Sequence, residues 1–225
     1  MDTAPSLLAQ WHPVTCDYGL IEAPLDAVAE GFARWQRSLG RTLQERTMDS
    51  GFADVLAALL PLSMGKRRCA LVQTDSPWTA VLQSGTQGSD PTPIVRVLSQ
   101  CMGTRAMRVC ARERATIWEL FAPNVQGPVR TVFTVREAKR WRFGQSGQAL
   151  AHEPTERYAL PSVRARFDRG VLAACVGPLG VRPWDDAFFG ARAVVVEREA
   201  RVREPPELTL AEALAALGES FAASR

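Results

Sequence analysis

The sequence predicts an α+β protein with a central, largely antiparallel sheet of about six to nine strands and helices packed on it, in a single domain. Three observations lead to this prediction. Amphipathic helical patterns recur along the chain, strand-like segments with short connections fill its middle, and 225 residues suffice for one substantial core. The composition agrees, because 46% apolar and 23% charged residues are typical of a globular protein.

The spacing of apolar residues places the individual elements. Helices show apolar residues three and four positions apart, as in the segment between Pro24 and Gly40, whereas strands show apolar runs or alternation. Helices are predicted at 25–39, 52–60, 91–102, 162–176 (capped by Ser162, with Arg164 and Arg169 outward) and 209–221. Strands are predicted at 14–22, 41–48, 69–74, 78–84, 105–112, 116–122, 130–136, 139–143 and 192–199.

Short connections between the strands from 105 to 143 predict an antiparallel meander, because crossover helices would not fit there. In its last strand, Trp141 and Phe143 alternate with Arg140 and Arg142. This alternation predicts one covered face of the sheet and one partly solvated face that bears arginines.

The glycine-rich stretch GTQGSDP (85–91) lies between a predicted strand and a predicted helix, where it could bind phosphate or only reverse the chain. A phosphate-binding loop needs Gly-Lys-Ser/Thr at the helix start, whereas this helix starts with Asp90 and Pro91, which supply a carboxylate and no N–H. We therefore interpret the stretch as a turn in which Asp90 caps the helix that Gly103 ends.

The chain is predicted to form a globular α+β domain over 1–203, followed by a C-terminal helix within 204–225. Thr209 and Glu212 have the spacing of a capping box at the start of that helix. An apolar stripe on it predicts docking on the domain or on a partner. The stripe consists of Leu210, Leu214, Leu217 and Phe221.

The sequence predicts no metal site, no cofactor site and no catalytic centre. The two histidines, His12 and His152, have no second His or Cys at ligand spacing. The five cysteines are dispersed, mostly in apolar runs, where a thiol packs as a small core residue. For Asp185 and Asp186, adjacent in a predicted loop, helix capping is favoured over cation binding.

The overall charge and hydropathy restrict the partners. Because no segment approaches the roughly 20 apolar residues of a membrane span, we expect a cytoplasmic protein without a membrane partner.

The segment REAKRWRF (136–143) interleaves basic and aromatic residues, a pattern that suits single-stranded nucleic acid. A net charge of only +3, together with inward-facing Trp141 and Phe143, argues against nucleic acid and favours a protein with acidic groups.

The motifs SPWTAVLQSG, TIWELFAP, KRWRFGQSGQ, HEPTERY, VRARFDRGVL and WDDAFFG occur in this order. In this respect the chain resembles a family of uncharacterised bacterial proteins of about this size, some associated with immunity proteins of interbacterial toxin systems. The resemblance covers roughly residues 70–200 and brings no catalytic residues. It implies a scaffold that neutralises a toxin by binding it.

The sequence therefore predicts a non-catalytic bacterial protein that binds a protein partner, a toxin in the most specific form of the prediction. The predicted partner-binding residues are Arg136, Arg140, Arg142, Trp184, Asp185 and Asp186.

Three alternatives remain open at this stage. One is a small-molecule enzyme with His152 and Glu153 as acid or base near GTQGSDP. Another is a nucleic-acid-binding protein that uses the basic strip 136–142. The third is a structural subunit of a secretion or phage-derived apparatus.

Overall fold

The structure, a computed structural model, describes residues 6–86, 90–199 and 206–222, with side chains described through residue 217. Within these ranges the chain forms a nine-stranded sheet and a separate two-stranded sheet. All strand pairs of the large sheet are antiparallel, and helices pack on both of its faces. The predicted α+β fold, with a largely antiparallel sheet in a single domain, is confirmed.

Nearly every predicted strand is present, and the meander over the middle of the chain is confirmed. The strands are Asp17–Ile21 (β1), Leu43–Asp49 (β2), Leu62–Ser63 (β3), Arg68–Thr74 (β4), Thr79–Gln83 (β5), Ala106–Arg112 (β6), Ala115–Phe121 (β7), Pro128–Glu137 (β8), Arg140–Ser146 (β9), Phe189–Arg198 (β10) and Glu207–Leu208 (β11). The large sheet has the order β2-β10-β4-β5-β1-β6-β7-β8-β9, and β3 pairs with β11.

Most predicted helices are present, with shifted ends. The helices are Leu7–Gln10 (α1), His12–Thr15 (α2), Leu25–Ser38 (α3), Phe52–Ala57 (α4), Thr92–Met102 (α5), Val163–Arg166 (α6), Arg169–Val176 (α7) and Leu210–Ala222 (α8). Short 3₁₀ helices occupy Thr155–Ala159, Gly177–Leu179 and Asp186–Phe188.

Two element predictions are wrong in part. The strand predicted over 14–22 begins only at Asp17, because the residues before it form α2. The helix predicted over 162–176 is broken at Phe167, and Ser162 makes no side-chain cap. The break has a local cause, since the Asp168 carboxylate accepts a hydrogen bond from the Val171 N–H at 2.9 Å and begins a new helix there.

The two long helices α3 and α5 pack on one face of the sheet, which we call the front face. Their apolar residues meet Leu71, Val81 and Val194 of the sheet in one buried cluster. At Gly19 of β1 the helix α5 comes so close that a Cβ would lie 2.4 Å from Val95 Cγ1. Glycine at this position therefore lets the helix lie directly on the sheet.

The start and end of α5 confirm that the glycine-rich stretch leads into a capped helix. The Thr92 N–H donates to Asp90 Oδ1 at 3.1 Å, and Gly103 ends the helix with φ of 67°. Residues 87–89 of the stretch lie outside the described ranges.

The opposite face of the sheet, the back face, carries the larger core. The helices α1, α2, α4 and α7 contribute buried apolar residues to it, as does the chain between β9 and β10. Its large, nearly inaccessible side chains include Tyr18, Trp78, Trp118, Phe167 and Phe188. Most of the fold's aromatic area is therefore buried on the back face.

The C-terminal helix begins with the predicted capping box, since Thr209 N–H donates to Glu212 Oε2 at 2.7 Å and Glu212 N–H donates to Thr209 Oγ1 at 3.2 Å. Ala213 is buried against the domain, whereas Leu214 is 40% exposed. Leu214 of the predicted stripe is therefore not docked on the domain, and Phe221 lies beyond the described side chains.

The cysteines are almost all buried, as predicted. Cys16, Cys69, Cys110 and Cys175 are buried, whereas Cys101 on α5 is exposed, contrary to the prediction. Among the described residues, no helix combines the length and the apolar character that crossing a membrane requires.

Candidate functional site

The front side of the meander extends beyond the helices that cover the rest of the sheet. Alternation and register place Ile117, Phe133 and Val135 on the front face of β7 and β8, and all three are only half-buried. Arg140 and Arg142 of β9 lie on the same face and are exposed. We call these five residues the open sheet face. It combines an apolar centre with a cationic border at the edge of the sheet.

Glycine in the edge strand shapes this surface. A Cβ on Gly144 of β9 would lie 2.4 Å from Phe133 Cζ, so the Phe133 ring lies across the glycine of the neighbouring strand. An aromatic ring that covers a cross-strand glycine stabilises the strand pair and flattens the surface. The Phe133 ring, flanked by Ile117 and Val135, therefore forms the centre of the open sheet face.

The cations of the β8–β9 hairpin are mostly unengaged. Arg142 forms an ion pair with Glu137 at 2.7 Å, and both side chains are more than half exposed, so the pair contributes little stability. Within the described part of the chain, the side chains of Arg136, Lys139 and Arg140 are exposed and form neither ion pairs nor hydrogen bonds. These guanidinium and ammonium groups are available to an acidic partner.

Arginines of the front face nearer the middle of the sheet have internal partners instead. Arg108 donates to both oxygens of the inaccessible Asp17 carboxylate at 2.8 Å, and Arg112 donates to the same carboxylate at 2.6 Å. Arg108 also reaches Glu119 at 3.3 Å. Among the described strands of the meander, the predicted solvated arginine face is thus found at β9, whereas the arginines of β6 are partly buried and pair with the inaccessible Asp17 carboxylate.

The pair Asp185 and Asp186 has the structural role that capping predicted. Asp185 Oδ1 accepts from the Ala187 N–H at 3.0 Å, and its other oxygen pairs with Arg182 at 2.9 Å. The Asp186 carboxylate accepts from the Leu7 and Leu8 N–H groups at 2.7 and 3.1 Å and thereby holds the first turn of α1. Both carboxylates are engaged within the fold, away from the open sheet face.

Trp184 and Trp141 each line a hollow on the back face. One hollow of about 340 Å³ is lined by Trp141, and another of about 210 Å³ is lined by Trp184. The hollows share His12, Ala111 and Arg169, so they adjoin. We call them together the arginine–tryptophan cleft. The structure thus brings one tryptophan from each of the two predicted binding segments to the same cleft.

Each of these tryptophans is covered by an arginine. The Arg164 guanidinium lies 5.3 Å from the Trp141 ring centre, and the Arg169 guanidinium lies 4.8 Å from that of Trp184. Both distances are within the range of cation–π attraction. Since Trp141 is on the back face and under an arginine, it does not offer the exposed stacking platform that single-stranded nucleic acid requires.

The cleft also contains the pair His12 and Cys16, a histidine and a thiol one helical turn apart. Burial, with Arg112 and Arg169 nearby, lowers the pKa of His12. Burial raises the pKa of Cys16 to about 11, although Arg112 acts in the opposite direction. The thiol is therefore protonated at neutral pH and is not an activated nucleophile.

The acid–base pair of the enzyme alternative is engaged elsewhere. Arg130 Nη2 donates to Glu153 Oε2 at 2.6 Å, and Tyr158 Oη donates to the same oxygen at 2.9 Å. Glu153 Oε1 accepts from the Leu150 N–H at 2.8 Å. His152 is exposed, with Nε2 at 2.9 Å from the Cys175 carbonyl oxygen. Because both Glu153 oxygens have internal partners, this carboxylate is a structural group and a poor general base.

Another hollow, of about 430 Å³, lies beside α3 and is lined by Arg41, Lys66, Arg67 and Arg198. Its arginines hold the fold together. Arg67 pairs with Glu197 at 2.9 Å and with Glu207 at 3.2 Å, and Arg198 donates to the Gly65 carbonyl at 2.6 Å. The positive charge of this hollow is therefore largely used within the fold.

In the described residues, no group of three or more His, Cys, Asp or Glu side chains is arranged to hold a metal ion. Comparison with protein-family models, with curated proteins and with solved structures found no match to this chain.

Proposed function

We propose that this protein acts by binding an acidic partner protein on its open sheet face, and that the partner is a toxin which the protein neutralises. The observation that supports the first part is the half-buried apolar centre around Phe133, bordered by the exposed Arg140, which has no ion pair among the described residues, and by the exposed Arg142. The second part depends on the resemblance to proteins associated with toxin immunity.

The two parts of the surface have different physical roles in such a complex. Burying the aromatic centre removes apolar area from water and provides affinity, and arginine is among the residues enriched at interface hot spots. The exposed charges of Arg140 and Arg142 accelerate encounter with an acidic surface and select against basic ones. A protein partner that carries acidic side chains around an apolar patch is the matching surface.

The edge position of β9 adds a second mode of contact. Since β9 is the last strand of the sheet, its outer backbone groups are not paired with another strand of the described chain. Extended segments of partners bind such edges by adding a strand. The exposed arginines also prevent unwanted pairing with a second copy, because like charges repel across the edge.

For the test, each gene product encoded next to this chain is expressed alone in a bacterial host. A product that arrests growth is then used as the candidate toxin. We expect co-expression of the wild-type chain to restore growth and the two purified proteins to form a complex. The variant Arg140→Glu/Arg142→Glu should weaken that complex at least about 30-fold, since two favourable charge contacts become repulsive. Binding of the wild-type chain should weaken as salt concentration rises.

The matched control is Arg34→Glu, a charge reversal at an exposed arginine on α3, far along the chain from the hairpin. It should leave growth rescue and affinity unchanged. If the hairpin variant binds as tightly as the wild type, the assigned surface is wrong. If the chain neither protects against nor binds any neighbouring product that arrests growth, the toxin-neutralising function is wrong.

A further inference from the structure

Two arginines of the arginine–tryptophan cleft have no anionic partner of their own. Within the described ranges, Arg164 and Arg169 form no ion pair and donate no hydrogen bond, and each guanidinium lies on a tryptophan face. Stacking on the ring holds the guanidinium in place while its N–H edge stays available. Arginines fixed in this way suit recognition of carboxylate or phosphate groups, which they bind through paired hydrogen bonds.

A buried hydroxyl in the same hollow also lacks a partner. Thr134 is 1% exposed and lines the hollow that Arg164 and Arg169 line, and its Oγ1 has no hydrogen-bond partner among the described residues. The Arg112 Nε, from another lining residue, is likewise buried and unsatisfied. A buried polar atom without a partner costs free energy, and a bound ligand would supply the missing hydrogen bond.

The shape and lining of the hollow restrict the class of ligand. A volume of about 340 Å³ exceeds what an inorganic phosphate ion fills and lies within the range of small-molecule sites. Phe167 and Trp141 supply apolar walls. Two carboxylates, Glu113 and Asp168, also line it, but Asp168 is engaged with the Val171 N–H and lies 3.6 Å from Arg157.

We propose that the arginine–tryptophan cleft is a binding site for a small organic anion, whose carboxylate or phosphate group is held by Arg164 and Arg169 and accepts a hydrogen bond from the Thr134 hydroxyl. The apolar part of the ligand lies against Trp141 and Phe167. This site is on the back face, so it is separate from the open sheet face and does not depend on the partner-binding proposal.

The first experiment is calorimetric titration of the full chain with three aromatic probes of similar size. Phenyl phosphate and benzoate carry the two anionic groups, and benzyl alcohol is the neutral counterpart. We expect at least one anion to bind with a dissociation constant in the millimolar range or below, and benzyl alcohol to bind at least about tenfold more weakly, because charged hydrogen bonds are lost. The tighter anion identifies phosphate or carboxylate as the preferred group.

Three variants then locate the site. Arg164→Gln and Arg169→Gln should each weaken binding of the preferred anion at least about tenfold. Thr134→Val removes only the hydroxyl, so it should weaken binding severalfold while leaving the thermal midpoint equal to or above that of the wild type, since no internal hydrogen bond is lost. Arg34→Gln, at an exposed arginine of α3, is the matched control and should bind like the wild type.

Failure of both anions to bind would overturn the proposal. So would binding that is unchanged in both Arg164→Gln and Arg169→Gln, because the anion would then lie elsewhere. A fall in the thermal midpoint of Thr134→Val would contradict the assignment of an unsatisfied hydroxyl. Growth rescue in the toxin assay is expected to be unchanged in Arg164→Gln, which separates failure of this site from failure of the partner-binding surface.

Discussion

Arg130 and Glu153 show how single residues fasten the long connection after β9 to the sheet. Both side chains are essentially inaccessible, and Arg130 also donates to the Ser146 and Gly147 carbonyls at 3.1 and 2.9 Å. Burial raises the pKa of Glu153, but the hydrogen bonds from Arg130, Leu150 and Tyr158 outweigh it, and the pKa lies below its ordinary value. The carboxylate is therefore ionised and fully paired in the folded protein.

We predict that Glu153→Gln lowers the free energy of unfolding at neutral pH by about 3 kcal/mol, because it leaves a buried guanidinium without its counter-charge. The pH dependence follows from the lowered pKa of Glu153. Its stabilising contribution is complete above the unfolded pKa of roughly 4.3 and is lost as pH falls through the lower folded pKa. Urea unfolding at several pH values measures the difference between the two proteins.

That difference should be largest above about pH 5 and should shrink below about pH 4. The matched control is Glu156→Gln, an exposed glutamate in the same segment, which should change stability by less than about 0.5 kcal/mol. A difference that stays constant down to pH 3 would show that the ionised carboxylate is not the source of the stabilisation.

A buried ion pair such as Arg130–Glu153 cannot be predicted from the sequence alone. The sequence indicates only His152, its neighbour in the chain, as a partner of Glu153, whereas the real partner, Arg130, is 23 positions away in sequence. The capping role of Asp185 is, by contrast, predictable, because its partner is the Ala187 N–H two positions along the chain, whereas Asp186 accepts from the Leu7 and Leu8 N–H groups, 179 and 178 positions away, which the sequence does not indicate. Residue roles were predictable where the interaction is local and unpredictable where it depends on tertiary packing.

The elements themselves were predicted well wherever one periodicity persists. The helices α3 and α5 and the meander strands β6–β9 lie close to the predicted ranges, since burial on one face imposes the spacing directly. The break between α6 and α7 was missed because the apolar spacing continues across Phe167 while Asp168 caps a new helix. That break places Arg164 and Arg169 at the cleft, where both residues are exposed, in agreement with the prediction that they point outward.

At the scale of a helix on a sheet, two glycines of the front-face core give a matched comparison. Gly19→Ala places a methyl group 2.4 Å from Cγ1 of the inaccessible Val95, so α5 must shift, and we expect a loss of about 1–3 kcal/mol in stability. In Gly31→Ala the methyl group meets the flexible Met102 thioether at 2.9 Å, and alanine favours the helix by about 1 kcal/mol.

We therefore expect Gly31→Ala to be neutral or slightly stabilising, and Gly19→Ala to be clearly destabilising, in chemical unfolding of the two variants. Equal effects of the two substitutions would mean that α5 does not lie as closely on β1 as the structure places it.

For the whole molecule, the sequence predicts one part of the strand order of the large sheet and does not predict the other part. The run β6-β7-β8-β9 follows chain order, since short loops force neighbouring strands together. The insertion of β10 between β2 and β4 joins segments more than a hundred residues apart, which no local pattern encodes. The arginine–tryptophan cleft likewise joins segments that are far apart in sequence, because its residues come from α2, the meander, α6, α7 and the loop before β10.

The contacts of the C-terminal segment, β11 and α8, indicate whether the rest of the chain can fold without it. Within the described residues, this segment contributes the short strand β11, the buried Ala213, and Leu208 and Leu210, which are partly buried against the back-face core. The remaining core residues of both faces lie at or before Val196. The segment therefore adds to a core that the rest of the chain already encloses.

We predict that a chain ending at residue 203 folds and unfolds in one cooperative transition. Removing Leu208 and Leu210, and so exposing the part of the core that they cover, costs about 2 kcal/mol, which corresponds to a fall of about 4–8 °C in thermal midpoint for a chain of this size. Leu214→Ser in the full chain is the control and should leave the midpoint within about 2 °C, since Leu214 is already 40% exposed. If the shortened chain lacks a cooperative transition, the C-terminal helix is part of the folding unit, and the boundary at 203 is wrong.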